Sequence, residues 1–377
     1  MKFAGSGHGR LGLAAALAAL FLAAGPGTAA TTPRPAAPGE AARSRFLMGT
    51  RLAIEVEGGA PEEAFEDAFN EVSRLESILS NWRETSEISR LNREAARAPV
   101  RCSPDLFAAV RSALRWAEAT GGAFDPTVEP LVVRLGLRGE DGRLPSFDDD
   151  RAAAGQAAGS DLHDLQALAG NERRSAGRLP IGWRRVHLRR TSRSVSYDAP
   201  GVGLDFGGIG KGIALDAAAR VLRRHGVRRA LLDFGGQVLA IGRPADAPAW
   251  LIGIADPGDR DRAVGVVGIA DLSLSTSGNS ERSIETEGGR IGHLLDPVTQ
   301  RPAQFEGSVT VAAPDGTSAD ALSTALFVMG PERGAAWADQ RAIAALYLWR
   351  DEARVLRRRA TLSFEERFSL TTDEAGS

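Results

Sequence analysis

Between residues 185 and 349 the chain is a succession of short apolar stretches with few helices among them, and this crowding constrains its fold most. The stretches lie at 185–188, 194–197, 230–233, 238–241, 250–254, 264–269, 308–312 and 343–349, each of strand length and content. Helical spacing appears between them only at about 211–224 and 320–329. A doubly wound parallel sheet alternates strand with helix throughout. Strands clustered in this way predict an α+β fold instead.

Upstream, Leu52, Ile54 and Val56 alternate with polar neighbours, the pattern of a half-buried strand. A helix is predicted over 61–79, where Phe65, Ala68, Phe69, Val72, Leu75 and Leu79 share a face. Pro61 opens it, with Glu62 and Glu63 in its first turn. A second helix over 104–119 carries Leu106, Val110 and Leu114 and stops at Gly121-Gly122. The polar stretch 139–182 is expected to hold one or two surface helices. The Arg223-Arg224 and Arg357-Arg358-Arg359 runs read as solvated helix faces.

The two ends read differently from the middle. Lys2 and Arg10 flank the approach to an apolar run over 11–24, followed by Gly27, Thr28, Ala29 and Ala30. That is the pattern of a secretory signal cut near 29–31, and the run is shorter than the roughly 20 apolar residues of a membrane span. It has no terminal Cys and no adjacent Arg pair before it, so export to the periplasm by the general secretory route is expected. Residues 31–45, rich in Pro, Ala and Thr, read as a flexible tether. One domain then spans 46–365, and 366–377 form a disordered tail.

Composition narrows the function. A net charge of -2 over 377 residues argues against a general nucleic-acid binder. Cys102 is the single cysteine, which excludes an internal disulfide and a cysteine-built metal centre. Its neighbours Val100, Ser103 and Pro104 include no His, and it reads as a packing residue.

Several familiar motifs fail on inspection. Asp-Phe-Gly occurs twice without a His-Arg-Asp loop, so the chain is no protein kinase. Gly210-Lys211 has the Gly-Lys pair of a P-loop, but Asp205 stands where its first Gly belongs and Gly212 replaces the Ser or Thr. What remains at 205–216 is a strand, a glycine-rich turn and a helix start. Such a turn either lets backbone N–H groups and Lys211 face a phosphate or is a tight turn with an exposed Lys. Leu204-Asp205-Phe206-Gly207-Gly208 recurs as Leu232-Asp233-Phe234-Gly235-Gly236, two strands ending in one kind of turn, by duplication or by chance. Asp320 and Thr324 lie i, i+4 on a small, apolar helix. They suit a hard cation such as Mg²⁺, or the Asp complements the helix dipole and the Thr is merely buried. His293 stands just before an Asp296-Pro297 turn, and with 5 histidines in the chain any His-based chemistry has few candidates.

Taken in order, these pieces resemble the ApbE family of FAD:protein FMN transferases. The resemblance rests on Met48-Gly49-Thr50, on Leu79-Ser80-Asn81-Trp82 and on Ser86-Glu87-Ile88-Ser89-Arg90-Leu91-Asn92. It continues through Gly122-Ala123-Phe124-Asp125-Pro126-Thr127-Val128, the segment 204–216 and Ser275-Thr276-Ser277-Gly278. It closes with the block from His293 to Pro297 followed by Pro302, Ser308-Val309-Thr310-Val311, and the helix of Ala319-Asp320-Ala321-Leu322-Ser323-Thr324-Ala325.

The resemblance implies an ApbE-like (T-fold-like) α+β architecture of mixed sheets with packed helices. It implies that Met48, Trp82, Ala123, Phe124, Asp125, Asp205, Lys211 and Leu294 contact FAD. Gly208, through its carbonyl, Asp320 and Thr324 would hold Mg²⁺. The acceptor would be a threonine of a membrane-associated flavoprotein, whose hydroxyl attacks the FMN phosphorus and releases AMP. His293 is the candidate proton acceptor and Asp296 the fallback. Gly210 departs from the family's usual Ala, and Asn279, Ser280 and Ser283 stand where Asp, Tyr and an aromatic are common, which bears on acceptor choice. Two other functions fit the same motifs: an FAD pyrophosphatase and a flavin-binding protein without turnover.

Overall fold

The computed structural model describes residues 40–137, 178–279, 283–286, 289–368 and 370. The expected signal, the tether up to residue 39, most of the polar stretch 139–182 and residues 371–377 lie outside the described residues.

Eight strands form one sheet whose spatial order is the chain order. They are β1 (Glu40–Leu47), β2 (Thr50–Glu57), β3 (Ala230–Phe234), β4 (Gln237–Ile241), β5 (Ser273–Gly278), β6 (Ser308–Ala313), β7 (Ala344–Arg350) and β8 (Leu356–Ala360). Every neighbouring pair is antiparallel. Successive side chains of a strand point to opposite faces, and the sequence uses both. Leu52, Ile54, Val56, Leu232 and Leu239 pack on one face against helices α1 (Glu62–Leu79) and α5 (Gly210–Arg224). Farther along that face Val309, Val311 and Tyr347 meet α6 (Gly316–Asp339). Leu231, Val238, Leu274 and Leu346 pack on the other face under a hairpin of Trp250–Asp256 and Asp259–Ile269 and a short helix α7 (Leu362–Arg367). Each large side chain buried in this way stabilises the fold by about 1.5–3 kcal/mol.

The remaining described helices, α2 (Glu87–Glu94), α3 (Pro104–Ala119) and α4 (Glu129–Arg134), lie on the chain between β2 and β3. There a small sheet of Val100–Arg101, Val186–Arg189 and Ser194–Tyr197 and a separate apolar core link α3 to α1 and α6. Cys102 is part of that core, and burial pushes its thiol up to about 11, in keeping with a packing role. Among the described residues no helix is long and apolar enough to cross a membrane.

Several expectations change. Residues 40–45, expected to belong to the tether, pair with β2. The Arg357-Arg358-Arg359 run is strand β8, the edge of the sheet among the described residues, not helix; its charges suit a sheet edge, and Arg359 and Arg357 pair with Glu332 and Asp351. Residues 366–368 belong to the fold, since α7 runs to Arg367 and Phe368 is buried. Helix α6 starts four residues before Asp320, at Gly316, and breaks at Gly330 (φ 74°) before Pro331.

Candidate active site

Glycine-rich turns at one end of the sheet, the end of α1 and the N-terminal part of α5 open on a cleft of about 970 Å³. Every candidate FAD, metal or proton-transfer residue except Asp296 lines it: Met48, Trp82, Ala123, Phe124, Asp125, Asp205, Gly208, Lys211, His293, Leu294, Asp320 and Thr324. The Asp296 carboxylate instead accepts the N–H groups of Val298 (2.8 Å) and Thr299 (3.3 Å), which builds the Asp-Pro turn. Both bonds fall on Oδ1, which is thereby committed to the turn.

Two tight hairpins bring backbone close to the cleft. Between β1 and β2, Met48 (φ 47°) and Gly49 (φ 77°) form a two-residue turn of the kind that wants Asn-Gly. Left-handed backbone at a Met is strained, and such strain concentrates at functional positions. The turn aims the Met48 side chain at α5, with its Cε 3.6 Å from where a Cβ of Gly210 would stand. That is ordinary contact, so the usual Ala would also fit at 210. Beside it, Gly235 (φ 62°) and Gly236 (φ 89°) link β3 to β4. A Cβ on Gly235 would stand 2.6 Å from Thr50 Oγ1, so a larger residue would force Thr50 to shift.

The segment 204–208 is not a strand, contrary to expectation; it has no ladder partners and turns into α5. Asn92 holds it from outside. The Asn92 Oδ1 accepts from Leu204 N–H (2.8 Å) and from Tyr197 OH (2.7 Å), while its Nδ2 donates to the Leu204 carbonyl (2.9 Å). Asn81 Nδ2 donates to the same carbonyl at 2.7 Å. Much of the sequence block around Ser86 therefore has a structural use: Ser86 caps α2 and Asn92 fixes the approach to Asp205. No local pattern marks such a role. Asp205 Oδ1 then accepts Gly207 N–H at 2.7 Å, tightening the turn.

Three residues with oxygens of different kinds, Gly208, Asp320 and Thr324, line the cleft where α5 and α6 cross. Thr324 Oγ1 is 3.4 Å from the Gly208 carbonyl. Asp320, 2% exposed, accepts Gly212 N–H on Oδ2 (3.0 Å), while its Oδ1 lies 3.7 Å from Lys211 Nζ. A Cβ on Gly208 would come within 2.8 Å of Thr324 Oγ1 and fill this cradle. A carboxylate, a hydroxyl and a carbonyl suit a hard cation, Mg²⁺ above all. Among the described residues no cluster of three His, Cys, Asp or Glu side chains forms a metal cage. One carboxylate with neutral oxygens matches Mg²⁺ that keeps waters and phosphate oxygens as its other ligands.

Asp125 lines the cleft but its oxygens are engaged. Oδ1 accepts from Thr127 N–H (2.9 Å) and Oγ1 (2.6 Å), and Oδ2 from Trp183 N–H (2.9 Å). Burial pushes its carboxyl above the usual range, against the pull of these donors. Trp82 is 43% exposed just past the end of α1, which rules out a core role and leaves its ring as a surface of the cleft. His293 is half-buried and is the one histidine among the described lining residues.

The hairpin Trp250–Asp256 and Asp259–Ile269 adds Arg260 and Asp261 to the wall, a contribution with no mark in the sequence. It is anchored by Asp256. Burial opposes that residue's charge, but the Gly258 N–H and the guanidinium groups of Arg262 and Arg350 hold its carboxyl below the usual range.

Known proteins match this chain over most of its length. The model of the ApbE family matches residues 48–347. An FAD:protein FMN transferase of Treponema pallidum is 34% identical over 319 residues, 79% of this chain and 81% of the relative. One from Klebsiella pneumoniae is 31% identical over 85% of this chain and 87% of its own length. Among solved structures, the ApbE protein of Thermotoga maritima superposes with a TM-score of 0.71 at 27% identity, covering 87% of this chain and 99% of that one. The flavin transferase ApbE of Vibrio cholerae gives 0.70 at 27% identity, over 87% and 98%. The cleft, the antiparallel sheet that frames it and these matches lead to one conclusion: the chain belongs to the ApbE family.

Proposed function

We propose that this protein is an FAD:protein FMN transferase that uses Mg²⁺ and modifies a threonine of a membrane-associated flavoprotein. The observation that carries the reading is the convergence of Asp320, Thr324 and the Gly208 carbonyl beside Lys211 in a cleft faced by Trp82. A phosphate-rich substrate with a planar ring system needs both halves of that arrangement. Gly208, Asp320 and Thr324 would hold the ion, whose chemistry is to offset charge on the pyrophosphate oxygens. Lys211 adds a cation, and the α5 N-terminus adds partial positive charge. Met48, Trp82, Ala123, Phe124 and Leu294 supply apolar surface for the rings, and Asp125 and Asp205 shape the turns beneath.

In the reaction the threonine oxygen forms a bond to the FMN phosphorus while the phosphoanhydride bond to AMP breaks. The hydroxyl proton passes to His293. The apolar run at 11–24 supports export, so the acceptor would be met in the periplasm; N-terminal sequencing of periplasmic protein should begin near Ala30 or Thr31. The central test is incubation with FAD, Mg²⁺ and a threonine-bearing acceptor, followed by mass spectrometry. The acceptor should gain the mass of one FMN less one water. Release of free FMN and AMP without any acceptor gain would instead make the protein an FAD pyrophosphatase.

A further inference from the structure

Helices α5 and α6 cross at two glycines. A Cβ on Gly212 would lie 2.2 Å from the Gly316 carbonyl oxygen, and one on Gly316 2.8 Å from the Gly212 carbonyl oxygen. Across that contact each helix sends a carboxylate to the other's N-terminal turn. Asp320 of α6 accepts Gly212 N–H of α5. In return Asp216 of α5 accepts Gly316 N–H (2.7 Å), Thr317 N–H (2.9 Å) and Thr317 Oγ1 (2.5 Å). Both pairs are four residues apart, 212 with 216 and 316 with 320, so the exchange is reciprocal and fixes how one helix sits along the other. Gln237 pins the same point from β4, its Nε2 donating to the Gly316 carbonyl at 2.8 Å. Neither Asp216, Gln237, Gly316 nor Thr317 lines the cleft.

We infer that Asp216 is a positioning residue for the metal site: by clamping the first turn of α6 it sets the depth at which Asp320 and Thr324 face the Gly208 carbonyl. The inference rests on the Mg²⁺ reading given above. A slip of α6 by part of a turn moves both ligands together, because they share one face of that helix. The donors on Asp216 include two N–H groups of the α6 terminus that have no carbonyl partner within the helix, so losing the carboxylate leaves them unsatisfied as well. Loss of such a supporting partner typically weakens a metal site about 10–100-fold.

Asp216→Asn removes the charge and replaces one accepting oxygen with a donor. Mn²⁺, a spectroscopic substitute for Mg²⁺, should be titrated into wild type and variant in the presence of FAD by electron paramagnetic resonance. FAD affinity without metal should be measured alongside. The variant should bind Mn²⁺ about tenfold more weakly while metal-free FAD affinity stays within about twofold. Thr317→Ala, which deletes one of the donors and keeps the backbone pair, should shift Mn²⁺ affinity in the same direction by less, and it serves if Asp216→Asn does not fold. A lowered melting temperature with Mn²⁺ affinity unchanged in both variants would overturn the assignment and leave Asp216 a mere stabiliser. Failure of wild type itself to bind Mn²⁺ would strike the metal reading, not the clamp alone.

Discussion

The same five residues, Leu-Asp-Phe-Gly-Gly, occur at 204–208 and at 232–236, yet they take up different structures. The second copy ends strand β3 and turns through Gly235 and Gly236 into β4. The first has no ladder partner and winds into α5. In both, the Asp side chain accepts a glycine N–H, from Gly207 in one and Gly236 in the other. What differs is the continuation. Val238, Leu239, Ala240 and Ile241 follow the second copy and are buried in the sheet, whereas Gly210, Lys211 and Gly212 follow the first and open a helix against α6. Both turns line the cleft, but the first brings a carbonyl to Thr324, one helical turn from Asp320. A local motif thus fixes a turn, and its surroundings decide whether that turn is frame or chemistry.

The largest expected effect tests whether the first copy carries the chemistry. Asp320→Ala should lower turnover on the order of a hundredfold or more while much of the FAD affinity remains. A strong chelator should do the same to wild type. Full activity in either case would break the contrast between the two turns.

A matched pair of alanines compares the copies directly. Gly208→Ala should raise the Mg²⁺ concentration needed for half-maximal rate about tenfold, since its Cβ would fill the space beside Thr324. Gly235→Ala should leave that requirement alone and cost about 1–3 kcal/mol of stability, from its left-handed backbone and its contact with Thr50. Thermal melts and Mg²⁺ titrations on both variants give the answer; equal metal effects would mean the turns are equivalent.

A variant outside both turns separates ring contact from phosphate contact. Trp82→Ala should weaken FAD binding several-fold, in line with about 0.5–1.5 kcal/mol for ring stacking, without changing the Mg²⁺ requirement. Trp82→Tyr should restore most of the affinity. Flavin fluorescence titration reads both, and wild-type affinity in Trp82→Ala would remove the ring from the site.

The smallest effect lies in the frame. Asp233→Ala gives up the Gly236 N–H bond and should cost about 0.5–1.5 kcal/mol in a denaturant melt, with turnover near wild type. A large loss of turnover would show that the second copy does more than support.

Much of this molecule is legible in residue order. The apolar face of α1 from Phe65 to Leu79 and the alternation of Leu52, Ile54 and Val56 predict their burial, because helix and strand periods are local properties. Asp205, Lys211, Asp320 and Thr324 stand out because each belongs to a short, chemically unusual run. Asn92 and Asp216 do not stand out. Their partners are 112 and about 100 residues away, at Leu204 and Gly316, and a side-chain amide or carboxylate on a helix carries no sign of such a destination. Strand β8 is hidden for the opposite reason: three consecutive arginines look like a solvated helix face until an edge with no further strand beside it among the described residues makes charge useful.

The sequence by itself determined the class of fold, the turns and the kinds of ligand atom available, since these follow from local propensity and from the chemistry of single side chains. Only the tertiary structure decided which turn became the site. Asp296 was spent on its own turn, Trp82 was left in the cleft rather than the core, and the Gly208 carbonyl met Thr324 across 116 residues of chain. The physical reason is the glycine contact between α5 and α6, which lets two helix backbones approach closely enough for each to cap the other and set the oxygens facing one another.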